Sequence, residues 1–278
     1  MTISEADLDH IAVLVKRACG IVIPSDRGGQ VESRLGPVAR REGLASVTAL
    51  VERLRAGPDA ALVRAVVDAL RISETQFFRD RTPFEQFRKE VLPAISAVRP
   101  GGRVRVWSAG CSTGQETYSL AMVADEWAES GGGGAVEIIG TDVSESCLEK
   151  AKSGIYTQFE VQRGLPVRLL IRHFDKVDET WRVADRLRQS IRWGRFNMLN
   201  DPSALGRIDV LFCRNVLRHF DEPTRARTLE RLALVLADDG LLFLGLDETT
   251  HGLTEMFRPI PGRRGLYCKN PARLRRVA

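Results

Sequence analysis

From about residue 100 onward, short apolar strands alternate with longer helices, and this alternation constrains the fold more than any other feature of the chain. Alternation of this kind is typical of βαβ units, in which consecutive strands lie parallel in one sheet. We therefore predict an α/β fold with a mostly parallel sheet. The predicted strands are 104–108, 136–140, 190–196, 208–213 and 240–245, and the predicted helices are 115–129, one that begins at Ser144, and 223–236.

Between residues 154 and 189 the alternation is interrupted. A helix-like stretch at 166–174 is followed by Trp181-Arg182-Val183, a short run of residues that favour strands. We predict a small antiparallel β insert in this region.

The first eighty residues show a helical pattern, with no strand pattern to interrupt it. Ser4 and Asp7 resemble a capping box at the start of a first helix that ends near Gly20. Further helices are predicted at 28–42, 46–56 and 59–70. We therefore predict an all-α domain over residues 1–80, followed by the α/β domain over residues 81–278.

The composition excludes several classes of protein. With 44% hydrophobic and 28% charged residues, the chain is neither disordered nor a coiled coil. No apolar run approaches the ~20 residues of a membrane span, and the polar, acidic first nine residues are unlike a signal peptide, so we predict no membrane insertion. Five cysteines without a CxxC pair indicate a reduced, cytoplasmic protein without a thiolate zinc site.

The net charge of +5 comes from the C-terminal region. Residues 258–278 contain seven Lys or Arg and no acidic residue, so the other 257 residues carry a net charge of −2. A basic tail is poor support for a nucleic-acid-binding body, and we predict no nucleic-acid partner. We expect a last strand at 266–268, order to about residue 270 and fraying from 273, where the arginines serve either solubility or the steering of an acidic partner.

The strand at 104–108 runs into a loop with two glycines. Gly110 and Gly114 form a Gly-x-x-x-Gly pattern, which either lets the backbone approach a nucleotide-like ligand or marks only a tight turn. Asp142 ends the second strand, where a carboxylate can accept hydrogen bonds from ribose hydroxyls or cap the next helix, a role that Ser144 could fill instead. Because this acid disfavours a 2′-phosphate and no P-loop lysine is present, the pattern favours adenosine without phosphates, as in S-adenosylmethionine.

The junction between the two predicted domains carries a second candidate segment. Residues 73–79 combine two adjacent phenylalanines with Thr75 and Arg79. These residues either pack a hinge or line a ligand cleft, since clefts form preferentially between domains.

The end of the strand at 208–213 carries a third. Arg214 and Asn215 leave this apolar strand at the edge of the sheet where ligands bind in α/β proteins. His219 follows four residues later, either as a packing residue or as a catalytic one.

Taken in this order, the segments resemble the chemotaxis receptor glutamate methyltransferases, the CheR family, over nearly the whole chain. The resemblance implies an all-α domain and then a Rossmann-like S-adenosylmethionine-dependent methyltransferase domain with a small antiparallel β-subdomain at about 154–189. It also implies methyl transfer from S-adenosyl-L-methionine, which becomes S-adenosyl-L-homocysteine, to glutamate side chains of chemoreceptors, without a metal. The motifs that carry the resemblance are Gly20-Ile-Val-Ile, Arg34-Leu, Thr75-Gln-Phe-Phe-Arg79, Trp107-Ser-Ala-Gly-Cys-Ser-Thr-Gly-Gln-Glu116, Gly140-Thr-Asp142, Arg163-Gly-Leu-Pro166, Phe196-Asn197, Cys213-Arg-Asn-Val216 and Leu242-Phe-Leu-Gly245.

The family's site residues transfer onto this chain position by position. Two residues are predicted to be catalytic: Arg79, which we expect to orient the substrate carboxylate, and His219, which stands where the family commonly has a tyrosine near the transferred methyl. We expect a neutral His219 to pack beside that methyl. Ser73 stands where the family usually has asparagine, and Met198 replaces a frequent leucine. The predicted cofactor-binding residues are Ser73, Thr75, Arg79, Glu116, Asp142, Asn197, Met198, Arg214 and Asn215.

The resemblance also implies a protein partner, the cytoplasmic helical bundle of a chemoreceptor. The helical domain is then the docking module, and Arg34, Arg40 and Arg41 form either a local basic face or an ordinary solvated surface. The β insert lacks the glycine-rich loop with which some family members bind a receptor pentapeptide, so we predict no such tether, and a monomer. Two other functions stay open: methylation of another carboxylate, and an inactive module that senses S-adenosylmethionine.

Overall fold

The structure is a computed structural model that describes residues 3–57, 59–71 and 74–271. The chain divides into two compact units, of which the first consists of Met1–Ile72 and His219–Thr224, and the second of Ser73–Arg218 and Arg225–Ala278. Ser73, predicted to bind the cofactor, and the C-terminal residues predicted to fray lie outside the described residues. The domain boundary predicted at residue 80 stays a prediction.

The first unit contains four α-helices among the residues that the structure describes, and all four were predicted from the sequence. They are α1 (Glu5–Cys19), α2 (Gly28–Arg41), α3 (Val47–Ala56) and α4 (Ala60–Leu70). Ser4 begins α1 because its hydroxyl accepts a hydrogen bond from the backbone N–H of Asp7, and Gly20 ends it with a left-handed backbone at φ 82°. Each helix turns an apolar stripe inward, with buried side chains that include Ile11, Val15, Leu35, Leu50 and Val66.

Arg34 in α2 caps another helix. Its Nη1 donates to the carbonyl oxygens of Leu70 and Arg71, at 3.3 and 3.0 Å, and so satisfies acceptors that the end of α4 leaves open. Of the three arginines considered as a basic face, Arg40 and Arg41 are exposed, while Arg34 is half-buried in this capping role.

The segment His219–Thr224 belongs to the first unit through contacts with the residues at the end of α1. Ile21 and Phe220 form an isolated antiparallel β-bridge. The ammonium group of Lys16 lies 2.7 Å from the carboxylate of Asp221. This short segment, far away in sequence, is therefore held in the first unit by both backbone pairing and an ion pair.

From residue 82 onward the elements alternate between helices and strands. In chain order they are α5 (Thr82–Gln86), a π-helical turn (Phe87–Val91), α6 (Leu92–Ala97), β1 (Val104–Ala109), α7 (Gln115–Glu129), β2 (Val136–Asp142), α8 (Glu145–Ser153), β3 (Ile155–Thr157), α9 (Gln158–Gln162), α10 (Val167–His173), β4 (Phe174–Val177), β5 (Thr180–Val183), α11 (Asp185–Gln189), β6 (Ile191–Arg195), β7 (Ile208–Cys213), α12 (Glu222–Val235), β8 (Leu236–Leu244), β9 (Phe257–Pro259) and β10 (Leu266–Lys269).

The second unit is built on a seven-stranded sheet with the strand order β6-β2-β1-β7-β8-β10-β9. The first five strands in this order are parallel, and β10 pairs antiparallel with β8 and β9. The chain starts in the centre at β1, moves outward through β2 and β6, and then returns to the other side of β1 with β7. Such a reversal leaves a crevice at the carboxyl ends of the two strands beside it, where α/β proteins bind ligands.

The predicted α/β fold is confirmed, and so is the antiparallel insert. Strands β3, β5 and β4 form a separate three-stranded antiparallel sheet in that order. The predicted last strand at 266–268 corresponds to β10. The parallel strands and the helices α7 and α8 lie within a residue or two of their predicted bounds, except at β8.

Two of the differences from the sequence prediction have a clear physical cause. Strand β8 begins at Leu236 rather than at residue 240, because Leu236 already pairs with Ile208 before a register shift that precedes Val210. The helices between residues 82 and 97 were not predicted. Their register changes at the π-helical turn, where the N–H of Leu92 donates to the carbonyl of Phe87 five residues earlier, so a regular 3.6-residue pattern is lost.

The core of the second unit lies between the sheet and its helices and is rich in aromatic rings. Phe212 and Phe243, on neighbouring strands, stack with ring centroids 4.3 Å apart, and Phe87 meets Phe212 edge-on. Across the described ranges, none of the helices combines the length and the apolar character that crossing a membrane requires.

A buried carboxylate forms hydrogen bonds that connect elements at the amino-terminal edge of the sheet. Asp209, 4% exposed, accepts hydrogen bonds from Arg99 Nε at 2.6 Å and from the backbone N–H of Arg105 at 2.9 Å. Arg99 also forms two hydrogen bonds with Asp239, and these acidic partners raise the pKa of its guanidinium. Removal of the Asp209 carboxylate would leave a largely buried guanidinium and a strand N–H without this acceptor.

We expect Asp209→Ala to lower the free energy of unfolding by about 2–4 kcal/mol, because it breaks a buried, charge-assisted pair. Urea denaturation followed by circular dichroism measures the change. Asp175→Ala, at an exposed position of β4, is the matched control and should change the free energy by less than about 0.5 kcal/mol. Equal effects of the two substitutions would contradict a structural role for the Asp209 pair.

The Lys16–Asp221 pair predicts an acid-dependent stability of the first unit. Hydrogen bonds from Lys16 and Thr224 lower the pKa of Asp221 from 3.8 to about 2. A carboxyl whose pKa is depressed in the folded state stabilises the protein above its ordinary pKa and loses that contribution as the pH falls through the depressed one. We expect Asp221→Asn to lower the thermal midpoint at neutral pH and to flatten its pH dependence between about pH 4 and pH 2.

Asp26→Asn, at an exposed position of the same unit, should retain the wild-type profile in differential scanning calorimetry. If Asp221→Asn also retained that profile, the ion pair would contribute nothing to stability.

Candidate active site

The loop after β1 turns on two glycines with left-handed backbone. Gly110 has φ 72° and Gly114 has φ 95°, a region that other residues rarely adopt. A Cβ at Gly110 would lie 2.5 Å from Val216, and one at Gly114 would lie 2.9 Å from the Cβ of Ala151. The glycines are therefore needed for the turn itself and for its close packing within the protein.

Asp142 lies at the end of β2 and holds this loop. Its Oδ2 accepts the N–H of Ser112 at 2.8 Å, and its Oδ1 accepts the N–H of Ser144 at 3.0 Å. The N-cap of α8 is Ser144, whose hydroxyl accepts the N–H of Cys147, so the alternative that Asp142 caps this helix is wrong.

A buried guanidinium lies at the end of β7. The side chain of Arg214 is 1% exposed; its Nη1 donates to Glu116 at 3.1 Å, and its Nη2 donates to Asp80 at 2.6 Å and to the carbonyl oxygen of Arg79 at 3.0 Å. The guanidinium also lies over the ring of Phe84, 5.5 Å from its centroid. Arg214 thus joins the start of α7 to the turn that carries Arg79.

That turn has an unusual backbone. Phe78, Asp80 and Arg81 have φ values of 48°, 66° and 48°, in the left-handed region that favours glycine. Each such residue costs on the order of 1–3 kcal/mol unless its surroundings hold it in place, and strain of this kind clusters at functional sites. Here the hydrogen bonds from Arg214 to both Arg79 and Asp80 stabilise the backbone of the turn.

Arg79 itself is only partly engaged. Its Nη1 donates to the carbonyl oxygen of Glu74 at 3.0 Å, which curls the side chain back along its own segment. Within the part of the chain that the structure describes, Nε and Nη2 have no protein partner. Thr75, half-buried, lies in the same short segment.

Glu116 is the anionic partner of Arg214 at the start of α7. One carboxylate oxygen accepts the hydroxyl of Ser108, in β1, at 2.9 Å, and the other accepts Arg214. Burial raises the pKa of Glu116, while Arg214 and Ser108 oppose that rise by favouring the ionised form. The carboxylate is therefore a buried charge that depends on its two donors.

Asn215 follows Arg214 with φ 60°, again left-handed, a conformation that asparagine tolerates better than most residues. Its backbone N–H donates to Oε2 of Glu248 at 2.8 Å. Sequence reasoning missed Glu248, and with it Ser108 and Asp80. An acid shortly after the buried strand β8, at the same edge as Asp142 and Arg214, was the available signal for Glu248.

Asn197 and Met198 follow β6, the strand beside β2. The N–H of Phe196 donates to the carbonyl oxygen of Asp142 at 3.0 Å, so the two strand ends stay joined beyond the sheet. The Asn197 side chain accepts the N–H of Leu199, which makes an Asx turn, and Met198 is buried.

The structure thus joins Arg79, Glu116 and Arg214 by direct hydrogen bonds and brings Asp142 and Asn197 to neighbouring strand ends. His219 belongs to the first unit, where its carbonyl oxygen accepts the N–H of Val22 at 2.8 Å. Its role beside the transferred methyl, and the cofactor contacts of the other residues, stay predictions.

Comparison with known proteins decides the family. Residues 6–70 match the all-alpha domain of CheR methyltransferases, and residues 73–266 match their S-adenosylmethionine-binding domain. The chain belongs to the CheR methyltransferase family. The resemblance predicted from the motifs is confirmed, and so are the methyltransferase fold and the cofactor, S-adenosylmethionine.

Curated relatives match over nearly their full length. The chemotaxis protein methyltransferase Cher2 of Pseudomonas putida is 36% identical over 94% of this chain and 96% of its own length. Chemotaxis protein methyltransferase 1 of Pseudomonas aeruginosa is 36% identical over 97% and 99%, and the chemotaxis protein methyltransferase of Vibrio parahaemolyticus is 33% identical over 97% and 98%.

The residues at the carboxyl edge of the sheet fit S-adenosylmethionine. Asp142 presents a carboxylate suited to a ribose diol at the strand end where such acids bind nucleosides. Two arginines and four acids give the edge a net charge of −2, which suits a cofactor whose sulfonium and ammonium groups outweigh its one carboxylate. The residues in this sum are Arg79, Asp80, Glu116, Asp142, Arg214 and Glu248.

We expect Asp142→Asn to weaken binding of S-adenosylhomocysteine by about 10- to 100-fold in isothermal titration calorimetry. The carboxamide loses the charge that strengthens bonds to ribose hydroxyls, and its NH₂ turns a donor toward the N–H of Ser112 or Ser144. Glu145→Gln, at an exposed position in the first turn of α8, removes the same charge nearby and should leave affinity within about twofold. Unchanged affinity in Asp142→Asn would remove Asp142 from the cofactor site.

Proposed function

We propose that this methyltransferase transfers methyl groups from S-adenosylmethionine to glutamate side chains of chemoreceptors. The family membership and the three relatives named as chemotaxis methyltransferases support this substrate. The observation that carries the proposal is Arg79, a guanidinium with donor groups to spare on a strained turn beside the buried Glu116–Arg214 pair.

Methyl transfer to a glutamate carboxylate needs little acid–base catalysis from the protein. A glutamate carboxyl with a pKa near ~4.3 is already ionised at neutral pH, so the nucleophile needs no strong base. S-adenosylmethionine supplies an electrophilic methyl on its sulfonium. The task of the protein is to orient the carboxylate in line with that methyl and to exclude water.

Arg79 is suited to orient the carboxylate. Nε and Nη2 can form two parallel hydrogen bonds with one carboxylate, and such charge-assisted pairs fix both distance and direction. The backbone of Arg79 is held by Arg214, so the guanidinium starts from a defined position rather than from a mobile loop. A pre-positioned donor spends less conformational entropy when the substrate binds.

The other assignments belong to the same proposal. Thr75, Asn197, Met198 and Asn215 would bind the cofactor together with Asp142. The helical unit would dock the cytoplasmic helical bundle of the receptor, and the exposed Arg40 and Arg41 would contact acidic residues there. The monomeric state, the cytoplasmic location and the lack of a pentapeptide tether stay predictions.

The test is incubation of the enzyme with a purified receptor cytoplasmic domain and methyl-labelled cofactor. We expect label on the receptor that mild base releases as methanol, the signature of a glutamate methyl ester. Arg79→Gln should lower kcat/KM about 10- to 100-fold, mainly through the receptor's KM, because a charge-assisted contact to the substrate is lost.

Arg88→Gln is the matched control, since Arg88 is exposed and has no hydrogen-bond or ion-pair partner among the described residues. It should retain the wild-type kcat/KM. Cofactor binding without transfer to the receptor would contradict the proposal and favour an inactive sensing module. Label on another carboxylate acceptor alone would favour the alternative substrate.

A further inference from the structure

We propose that Glu248 is a positioning residue of the methyltransferase site and that it acts through Asn215. The inference rests on the proposed function for its turnover measurements, whereas its binding measurements need only the cofactor. Glu248 touches neither Arg79 nor Arg214 in the described contacts, and it was not among the predicted site residues. Its carboxylate instead gathers backbone N–H groups from two neighbouring loops.

The hydrogen bonds of the Glu248 carboxylate with Gly245, Asn215 and Arg218, here called the Glu248 clasp, connect the ends of β7 and β8. Oε2 of Glu248 accepts the N–H of Gly245 at 2.7 Å and the N–H of Asn215 at 2.8 Å, and Oε1 accepts the N–H of Arg218 at 3.0 Å. The residue is 8% exposed. Three short hydrogen bonds to a buried carboxylate are each stronger than neutral ones, because the acceptor is charged.

The clasp holds the backbone of Asn215 in an unfavourable conformation. Asn215 holds φ 60°, which costs free energy for any residue other than glycine, and its N–H points at the Glu248 carboxylate. The preceding residue is Arg214, whose guanidinium enters the Glu116 and Asp80 pairs. By fixing Asn215 and Arg218, Glu248 sets the direction in which the Asn215 side chain leaves the loop.

Gly245 shows how tightly the clasp is built. A Cβ there would lie 2.8 Å from Oε2 of Glu248 and 2.8 Å from Nδ2 of Asn215. The Asn215 amide therefore packs directly against the backbone of Gly245, with no space for a side chain between them. The position of this amide depends on the clasp and not on a flexible neighbour.

The fold has other means of holding the end of β8. The N–H of Leu244 donates to the carbonyl of Gly265 at 2.8 Å, and β10 pairs with β8 along three residue pairs. The N–H of Glu248 itself donates to the carbonyl of Gly245 at 3.0 Å. Loss of the carboxylate alone should leave this backbone pairing in place, so its main effect should fall on the loop after β7.

The test compares Glu248→Gln with Asp247→Asn, an exposed neighbour that loses the same charge. Glutamine keeps one acceptor oxygen but turns an NH₂ toward an N–H, so at least one of the three hydrogen bonds is lost. We expect Glu248→Gln to weaken S-adenosylhomocysteine binding by about 10-fold in calorimetry, with a similar loss in kcat for receptor methylation. Asp247→Asn should stay within about twofold of wild type in both.

Asn215→Ala and the double variant then separate positioning from a general structural role. If Glu248 acts through Asn215, the double variant binds S-adenosylhomocysteine no more weakly than Asn215→Ala alone, because the second substitution has nothing left to position. Additive losses, or a thermal midpoint that falls in proportion to the loss of affinity, would overturn the inference. So would unchanged binding by Glu248→Gln when Asn215→Ala binds weakly.

The same series separates this inference from the proposed function. Weaker cofactor binding by Glu248→Gln, in an enzyme that fails to methylate the receptor, would retain the positioning role and refute the substrate. Unchanged binding by both Glu248→Gln and Asn215→Ala would remove Asn215 from the cofactor site and overturn the inference, whatever the receptor assay shows.

Discussion

The site depends on one buried guanidinium. Arg214 lies at the carboxyl end of β7 with almost no exposed surface and bonds to two carboxylates and one carbonyl. A buried charge is tolerated only when its partners are also in place, so Glu116 and Asp80 are as necessary to Arg214 as it is to them. The strained turn around Arg79 persists because it is part of this arrangement.

The sheet topology explains why these partners meet. Strand β1 delivers the glycine loop and Glu116, β2 delivers Asp142, and β7 delivers Arg214, all at one edge. Because β7 returns to the other side of β1, the order in which successive strands are added to the sheet reverses at this point. The residues that come together are separated by up to 135 positions in sequence. The parallel strands align Glu116, Asp142 and Arg214, and hydrogen bonds from Arg214 add the turn that carries Arg79.

Local signals predicted most of the fold. Helix α1 begins at the hydroxyl cap of Ser4 and ends at the left-handed Gly20, as the sequence indicated. The alternation of strands and helices correctly predicted the parallel sheet. The helices between residues 82 and 97 were missed because their register changes at a π-helical turn, which no periodic pattern records. The start of β8 was misplaced because a pairing with Ile208, not local propensity, determines it.

The site was predicted less completely, for a related reason. Arg214 and Asp142 stand at strand ends, where position alone marks them as candidates. Asp80 has no such mark, because its importance lies in the partner that it meets 134 residues away. Glu248 does follow a strand end, but its role depends on a partner 33 residues away that the sequence does not show. The physical basis of the Gly110 pattern was also not readable, since Val216, which excludes a Cβ there, lies on a distant loop.

The polar groups at this edge of the sheet are of two kinds. Some form hydrogen bonds with each other, and others keep hydrogen-bonding groups for a ligand. Arg214 and Glu116 satisfy mainly protein partners, and Glu248 satisfies backbone N–H groups. Arg79 keeps guanidinium donors that no described residue engages. A site arranged in this way carries its reorganisation cost in the folding of the protein rather than in the binding of cofactor and substrate. The hydrogen bonds of Arg214 with Glu116, Asp80 and the carbonyl of Arg79 then fix the turn that carries Arg79 before any ligand binds.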